Sequence, residues 1–130
     1  MRWEEVFAVF LVSHLVGDFL LQTDWQAVNK RGGLSRNREA RRALLSHVSV
    51  YTLSFGPALV WLATSRAGWE FALAAVVFIP HLVQDDARLL MAYNRLVKGN
   101  TPGPGDPVFM AIDQSMHVLF LFGTALLALA

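Results

Sequence analysis

Apolar residues fill four stretches of the chain, at about 3–21, 43–63, 69–90 and 108–130, and polar or charged residues fill the linkers between them. Each stretch is close to the ~20 residues a helix needs to cross the hydrocarbon core of a bilayer. The pattern predicts an all-α polytopic membrane protein, a four-transmembrane-helix bundle forming one domain over residues 1–130. Each predicted span carries one histidine: His14, His47, His81 and His117. The first span begins directly after Met1-Arg2, lacks a small-residue cleavage site and is interrupted by His14 and Asp18, so it is expected to be retained rather than removed as a signal peptide.

Composition supports lipid as the solvent. Of 130 residues, 55% are hydrophobic and 16% charged, and the mean hydropathy is +0.42, which is too apolar for a soluble domain of this size. A formal charge of +1 excludes a broadly basic nucleic-acid surface. With no cysteine there is no thiolate ligand, no disulfide and no cysteine nucleophile, which leaves nitrogen and oxygen donors.

The charges fix an expected orientation. The first linker holds Lys30, Arg31, Arg36, Arg38, Arg41 and Arg42, with Gly32-Gly33 breaking any continuous helix there. The third linker carries Arg95 and Lys98 and ends in a proline- and glycine-rich run from 99 to 107. Only Arg2 and Arg66 compete on the other side, so the basic linkers are expected in the cytoplasm and both termini outside. Trp3, Trp25 and Trp69 mark segment ends as an aromatic belt would.

Counting from the cytoplasmic ends at about 1.5 Å per residue, the intramembrane polar residues fall in two layers. Asp18, His47, Asp85 and Asp113 lie about one turn in, and His14, His81 and His117 about one turn deeper. His14 and Asp18, His81 and Asp85, and Asp113 and His117 are four apart, so each pair shares a helical face. A carboxylate in hydrocarbon is costly unless paired, coordinated or hydrated, so these edges are expected to converge inside the bundle. Gln22 and Tyr51, each one turn beyond a member of the set, and Gln114 are candidate hydrogen-bond donors behind it. Pro80, just before His81, removes a helix hydrogen bond and is expected to kink the third span. Asp24 and Asp86 read as interfacial or solvated. Arg41, Arg42 and Arg88 are candidates for holding a lipid headgroup. His81-Leu-Val-Gln-Asp85 echoes His14-Leu-Val-Gly-Asp18, and Ser46-His47-Val48 is echoed weakly by Met116-His117-Val118, which suggests two repeated helical hairpins.

The segment from His14 through Trp25, then Lys30, Leu45-Ser-His-Val48 with Tyr51-Thr52, His81-x-x-x-Asp85 and Asp113-Gln114-x-x-His117 together resemble the bacterial membrane proteins grouped as domain of unknown function 3307. The resemblance covers nearly the whole chain and implies a polytopic membrane fold with these His, Asp and Gln positions as its signature, but no reaction. The His-x-x-x-Asp pairs alone are similar to membrane-bound proteins labelled metal-dependent hydrolases, by analogy only.

One intramembrane histidine most often pins neighbouring helices by hydrogen bonding, whereas four at matched depth with three aspartates in register point to a metal or proton site. The candidate ligands are His14, Asp18, His47, His81, Asp85, Asp113 and His117, with Asp18 and Asp113 as candidate catalytic carboxylates. Imidazole and carboxylate donors suit zinc, iron or manganese, and seven exceed one tetrahedral shell, which allows two ions. The preferred reading is a membrane-embedded hydrolase of an amphipathic or lipid-linked ester or phosphoester, whose partners are the bilayer, that substrate and a second copy of the chain, with no nucleic acid. The alternatives are a metal-ion or proton transport component, a haem-binding electron carrier and a non-catalytic structural membrane protein.

Overall fold

The structure, a computed structural model, describes residues 2–65, 68, 70–103 and 105–128, with only the backbone of Glu70. Met1, Arg66, Ala67, Trp69, Pro104 and the chain end at 129–130 lie outside the described residues, and with them the first residue expected of the third span, the belt position of Trp69 and the competing charge of Arg66.

Among the described residues seven α-helices follow one another: α1 (Trp3–Leu15), α2 (Asp24–Asn29), α3 (Arg38–Ser54), α4 (Gly56–Ala63), α5 (Glu70–Asp85), α6 (Arg88–Tyr93) and α7 (Pro107–Leu127). Wider π turns extend α1 over Val16–Leu20 and α6 over Asn94–Lys98. α1 packs on α7 and on the α3–α4 pair, and α5 packs on both α7 and that pair, so four helical rods close a ring. α2 lies against α3, and α6 against α5.

The ends of these rods follow local chemistry more closely than they follow the apolar pattern. α3 starts five residues before the apolar stretch because Asn37 Oδ1 accepts from the backbone N–H of Glu39 and Ala40, at 3.0 and 3.1 Å. It stops at Phe55 and resumes as α4 at an angle of 42°, where Pro57 has no N–H to give to the preceding turn. The third rod was expected to run to about residue 90, but α5 ends at Asp85 because Ala87 adopts a left-handed conformation, φ 63°. α5 runs as one helix through Pro80. The last rod begins at Pro107, capped by Asp106 Oδ1 on Val108 and Phe109.

Asp86 corrects a sequence expectation. It is buried rather than solvated, accepting the backbone N–H of Leu34 at 2.8 Å and pairing with Arg88. With its carbonyl on the Gly32 N–H at 2.9 Å, it straps the first linker to the end of α5.

Among the described residues, α7 alone is long and apolar enough to cross a membrane, and the bent α3–α4 pair is a second such element if it counts as one span. The ring interior is filled at one end by Val6, Phe10, Phe55, Leu62, Val77 and Leu121. A smaller apolar cluster of Ala87, Leu90 and Phe109 lies near the other end. The titratable side chains sit between them.

Candidate metal centre

Each rod of the ring delivers polar side chains to one buried point. Asp18 comes from the π turn after α1, His47 from α3, His81 and Asp85 from α5, and Asp113 and His117 from α7. His47 Nε2 lies 3.2 Å from Asp18 Oδ1 and 2.9 Å from Asp85 Oδ2. His81 Nε2 lies 3.4 and 3.2 Å from the same two oxygens, and the two ring nitrogens are 3.1 Å apart. A tetrahedral ion with bonds of about 2.0–2.2 Å sets its donors about 3.3–3.5 Å from one another. The five separations run from slightly inside that value up to it, and all four residues are buried, so this group can hold a metal ion. Among the described residues Asp18 Oδ1, one of the four donors, is buried and has no hydrogen-bond partner.

A second set shares a residue with the first: Asp85, Asp113 and His117 also place one donor atom each within 4.8 Å of one another.

His14 stands apart, among the described residues, from both converging sets. Its Nε2 is 2.9 Å from Gln114 Oε1, an atom that can only accept, so the ring donates there. Its Nδ1, 3.0 Å from the Tyr51 hydroxyl, accepts in return. Gln114 Nε2 then donates to Asp18 Oδ2 at 3.3 Å. The chain Tyr51, His14, Gln114, Asp18 therefore holds one oxygen of Asp18 and leaves the other facing the centre. The turn after α1 widens to π geometry, closing with Leu21 N–H on Val16 O at 2.9 Å, and His14 Nδ1 still lies 3.7 Å from Asp18 Oδ2. His14 differs from His81 because Tyr51 and Gln114 take up both of its ring nitrogens.

Packing fixes the remaining rings. Tyr51 stacks on His81 at 3.4 Å between centroids and 4° between planes. Gly17 makes room for this, since a Cβ there would lie 2.7 Å from Tyr51 Cδ2. Among the described residues the Nδ1 atoms of His47 and His81 have no hydrogen-bond partner, so for His81 the stack on Tyr51 does the orienting that an outer hydrogen bond usually does at a metal site.

Lys30 was visible in the sequence only as one of the linker charges and as part of the family resemblance. Its Nζ is 2.8 Å from Asp85 Oδ2, and the Gln22 amide, turned so that both ends are satisfied, accepts from Nζ at 2.7 Å and donates to the Asp18 carbonyl at 3.0 Å. Arg31 lies over the Phe109 ring, 4.5 Å from its centroid. Together with Asp18, Asp85, Asp113 and Gln114, Lys30 and Arg31 line a cavity of about 210 Å³ beside the cluster. Arg41, Arg42 and Arg88 do not line it: Arg41 bonds the Ser35 carbonyl at 2.6 Å, Arg42 shares an outer groove with Trp25 and Arg38, and Arg88 pairs with Asp86. Among the described residues Lys30, which contacts Asp85, is the one ammonium paired with any of the three carboxylates, and leaves a deficit of two positive charges that a divalent ion would match.

Over residues 6–129 the chain matches the family described as "Protein of unknown function (DUF3307)", and it belongs to that family. No curated protein and no solved structure matches it.

Proposed function

We propose that this DUF3307 protein is a membrane-embedded, metal-dependent hydrolase that cleaves an ester or phosphoester of an amphipathic, lipid-linked substrate at the cytoplasmic side of the bilayer. The observation that carries the reading is the convergence of Asp18, His47, His81 and Asp85 on one point beside a cavity rimmed by Lys30 and Arg31. The membrane assignment is supported by an inverted distribution of polarity. His14, Asp18, His47, His81, Asp85 and His117 are buried, while Val12, Leu53, Val60, Phe71, Leu119 and Leu127 are exposed on the rods. On this reading α1 with its π turn, α3–α4, α5 and α7 are the four spans, with the basic linkers in the cytoplasm.

A divalent ion held by this His/Asp cluster beside the cavity would lower the pKa of a bound water and polarise the ester or phosphoryl oxygen. The chain supplies the rest. Lys30 and Arg31 hold the anionic group at the cavity mouth. Asp113, part-exposed on the cavity wall, takes the proton of the attacking water as its oxygen bonds to carbon or phosphorus. That proton passes to the ester oxygen as its bond breaks, so one water is consumed and one acid and one alcohol are released.

Two alternatives fit the geometry less well. A transport path would have to cross the apolar packing of Val6, Phe10, Phe55, Leu62 and Leu121. Haem would need a macrocycle between ring nitrogens that are 3.1 Å apart.

The test is a hydrolysis screen with the full chain purified without chelator and loaded with zinc, manganese or iron. It would use long-chain phosphoesters and carboxylic esters in mixed micelles. Metal-dependent turnover that disappears in His81→Ala and Asp113→Asn is expected; a fully metal-loaded wild type that cleaves none of them overturns the proposal.

A further inference from the structure

We propose that the chain binds a second divalent cation, held by His117 Nε2, Asp85 Oδ1 and one oxygen of Asp113, with Asp85 bridging it to the first, and that this second ion is the one that meets substrate. The inference rests on the metal-dependent reading above and divides that reading's labour between two unlike sites.

Asp85 presents its two oxygens to different neighbours. Oδ2 faces His47 and His81 at 2.9 and 3.2 Å, and Oδ1 faces His117 Nε2 at 3.5 Å. A carboxylate placed this way is a bridge between two sites rather than a ligand of one.

His117 is committed to the second site by its other nitrogen. Nδ1 lies 2.8 Å from the main-chain carbonyl of Asp113, which can only accept, so Nδ1 carries the proton. In the neutral ring Nε2 is then left with its lone pair. His117 is 2% exposed, and its Nε2 has no hydrogen-bond partner among the described residues. A buried imidazole nitrogen aimed at a carboxylate oxygen without bonding to it is a local cost that a cation between them, a metal ion or a proton, relieves.

The two sites differ in closure. The first draws four buried protein donors, the arrangement of an ion held for good. The second draws three, and its Asp113 opens on the cavity, so at least one coordination position is left for water or substrate. Asp113 gives one oxygen to the ion, and the other, 3.5 Å from Gln114 Nε2, remains to take the proton. Charge points the same way. One divalent ion and Lys30 neutralise the three carboxylates, so a second ion gives the site two positive charges that an anionic phosphoester would match.

The experiment loads the purified full chain with manganese and reads ions per chain by elemental analysis together with the electron paramagnetic resonance spectrum. Wild type is expected to hold two ions per chain with an exchange-coupled spectrum, the ions being about 3.5–4 Å apart. Asp113→Asn and His117→Gln are expected to hold one ion, with the spectrum of isolated manganese. Retention of that first ion shows that the variants are folded. Asp85→Asn should abolish the coupling. A wild type that saturates at one uncoupled ion overturns this inference while leaving the metal-dependent reading intact, and so do two coupled ions retained in both α7 variants. A wild type that binds none overturns both, whereas two coupled ions without any hydrolysis overturn only the hydrolase.

Discussion

Adding one methyl group at Gly17 should damage a metal site that it does not touch. A Cβ at this position would meet Tyr51 Cδ2 at 2.7 Å, Ser54 Oγ at 2.9 Å and Tyr51 Cα at 3.2 Å. Carbon atoms settle at about 3.5–4.0 Å, so one side must retreat by nearly 1 Å. Tyr51 has little freedom to do so: its ring is stacked on His81 at 3.4 Å, its hydroxyl is 3.0 Å from His14 Nδ1, and it is 2% exposed. The retreat therefore falls on the π turn, and the next residue is Asp18. Overpacking of this kind costs about 1–3 kcal/mol of stability. A donor displaced by far more than the ~0.2 Å that a metal site tolerates should lower metal affinity by about 10–100-fold, as mutations that misorient ligands do. The assay is a zinc competition titration against a chromophoric chelator, paired with thermal unfolding in detergent. Gly123→Ala is the control, since nothing lies within 4 Å of its added carbon and an alanine in that helix is worth up to about 1 kcal/mol. Zinc affinity unchanged in Gly17→Ala would refute the reasoning that links α1–α3 packing to the placement of Asp18.

Further changes separate the parts of the site. Tyr51→Phe keeps the stack on His81 but strands His14 Nδ1 without its hydroxyl partner; a loss of about 1–3 kcal/mol is expected in thermal unfolding, and an unaltered melt would dismiss the hydrogen-bonded chain. Asp86→Ala should cost a similar amount by orphaning the Leu34 N–H, with no change in bound metal by elemental analysis; loss of metal would make Asp86 part of the site. Lys30→Met should leave the first ion bound while raising KM for an anionic substrate at least about tenfold, or about 1.4 kcal/mol of binding. An unchanged KM would remove Lys30 from substrate recognition.

The four rods and their convergence were legible in the sequence because apolar length and the spacing of His and Asp are properties of regular helices. His81 with Asp85 follows that logic directly. His14 with Asp18 has the same spacing and stays within 3.7 Å, but both His14 ring nitrogens are taken up by Tyr51 and Gln114, partners on other helices that a helical period does not name. The bend at Phe55 could have been read from Gly56-Pro57, whereas the stop at Ala87 could not, because alanine gives no sign of a left-handed conformation. Asp86 and Lys30 were obscured for a related reason. Both sit at rod ends among other charges, and only the fold of the first linker decides that Asp86 is buried beneath Leu34 and that Lys30 reaches Asp85. Tyr51 was read as a donor behind the site, and its stacking on His81 depends on the close approach that Gly17 permits.

The central claim is that Asp18, His47, His81 and Asp85 form a metal site, and X-ray absorption on the zinc-loaded, purified full chain tests it most directly. The account predicts nitrogen and oxygen neighbours at about 2.0–2.2 Å with imidazole outer-shell scattering from His47 and His81 that diminishes in His47→Ala and again in the double variant with His81→Ala. Zinc that is not retained, or a spectrum without imidazole scattering and unaltered by these substitutions, would contradict it.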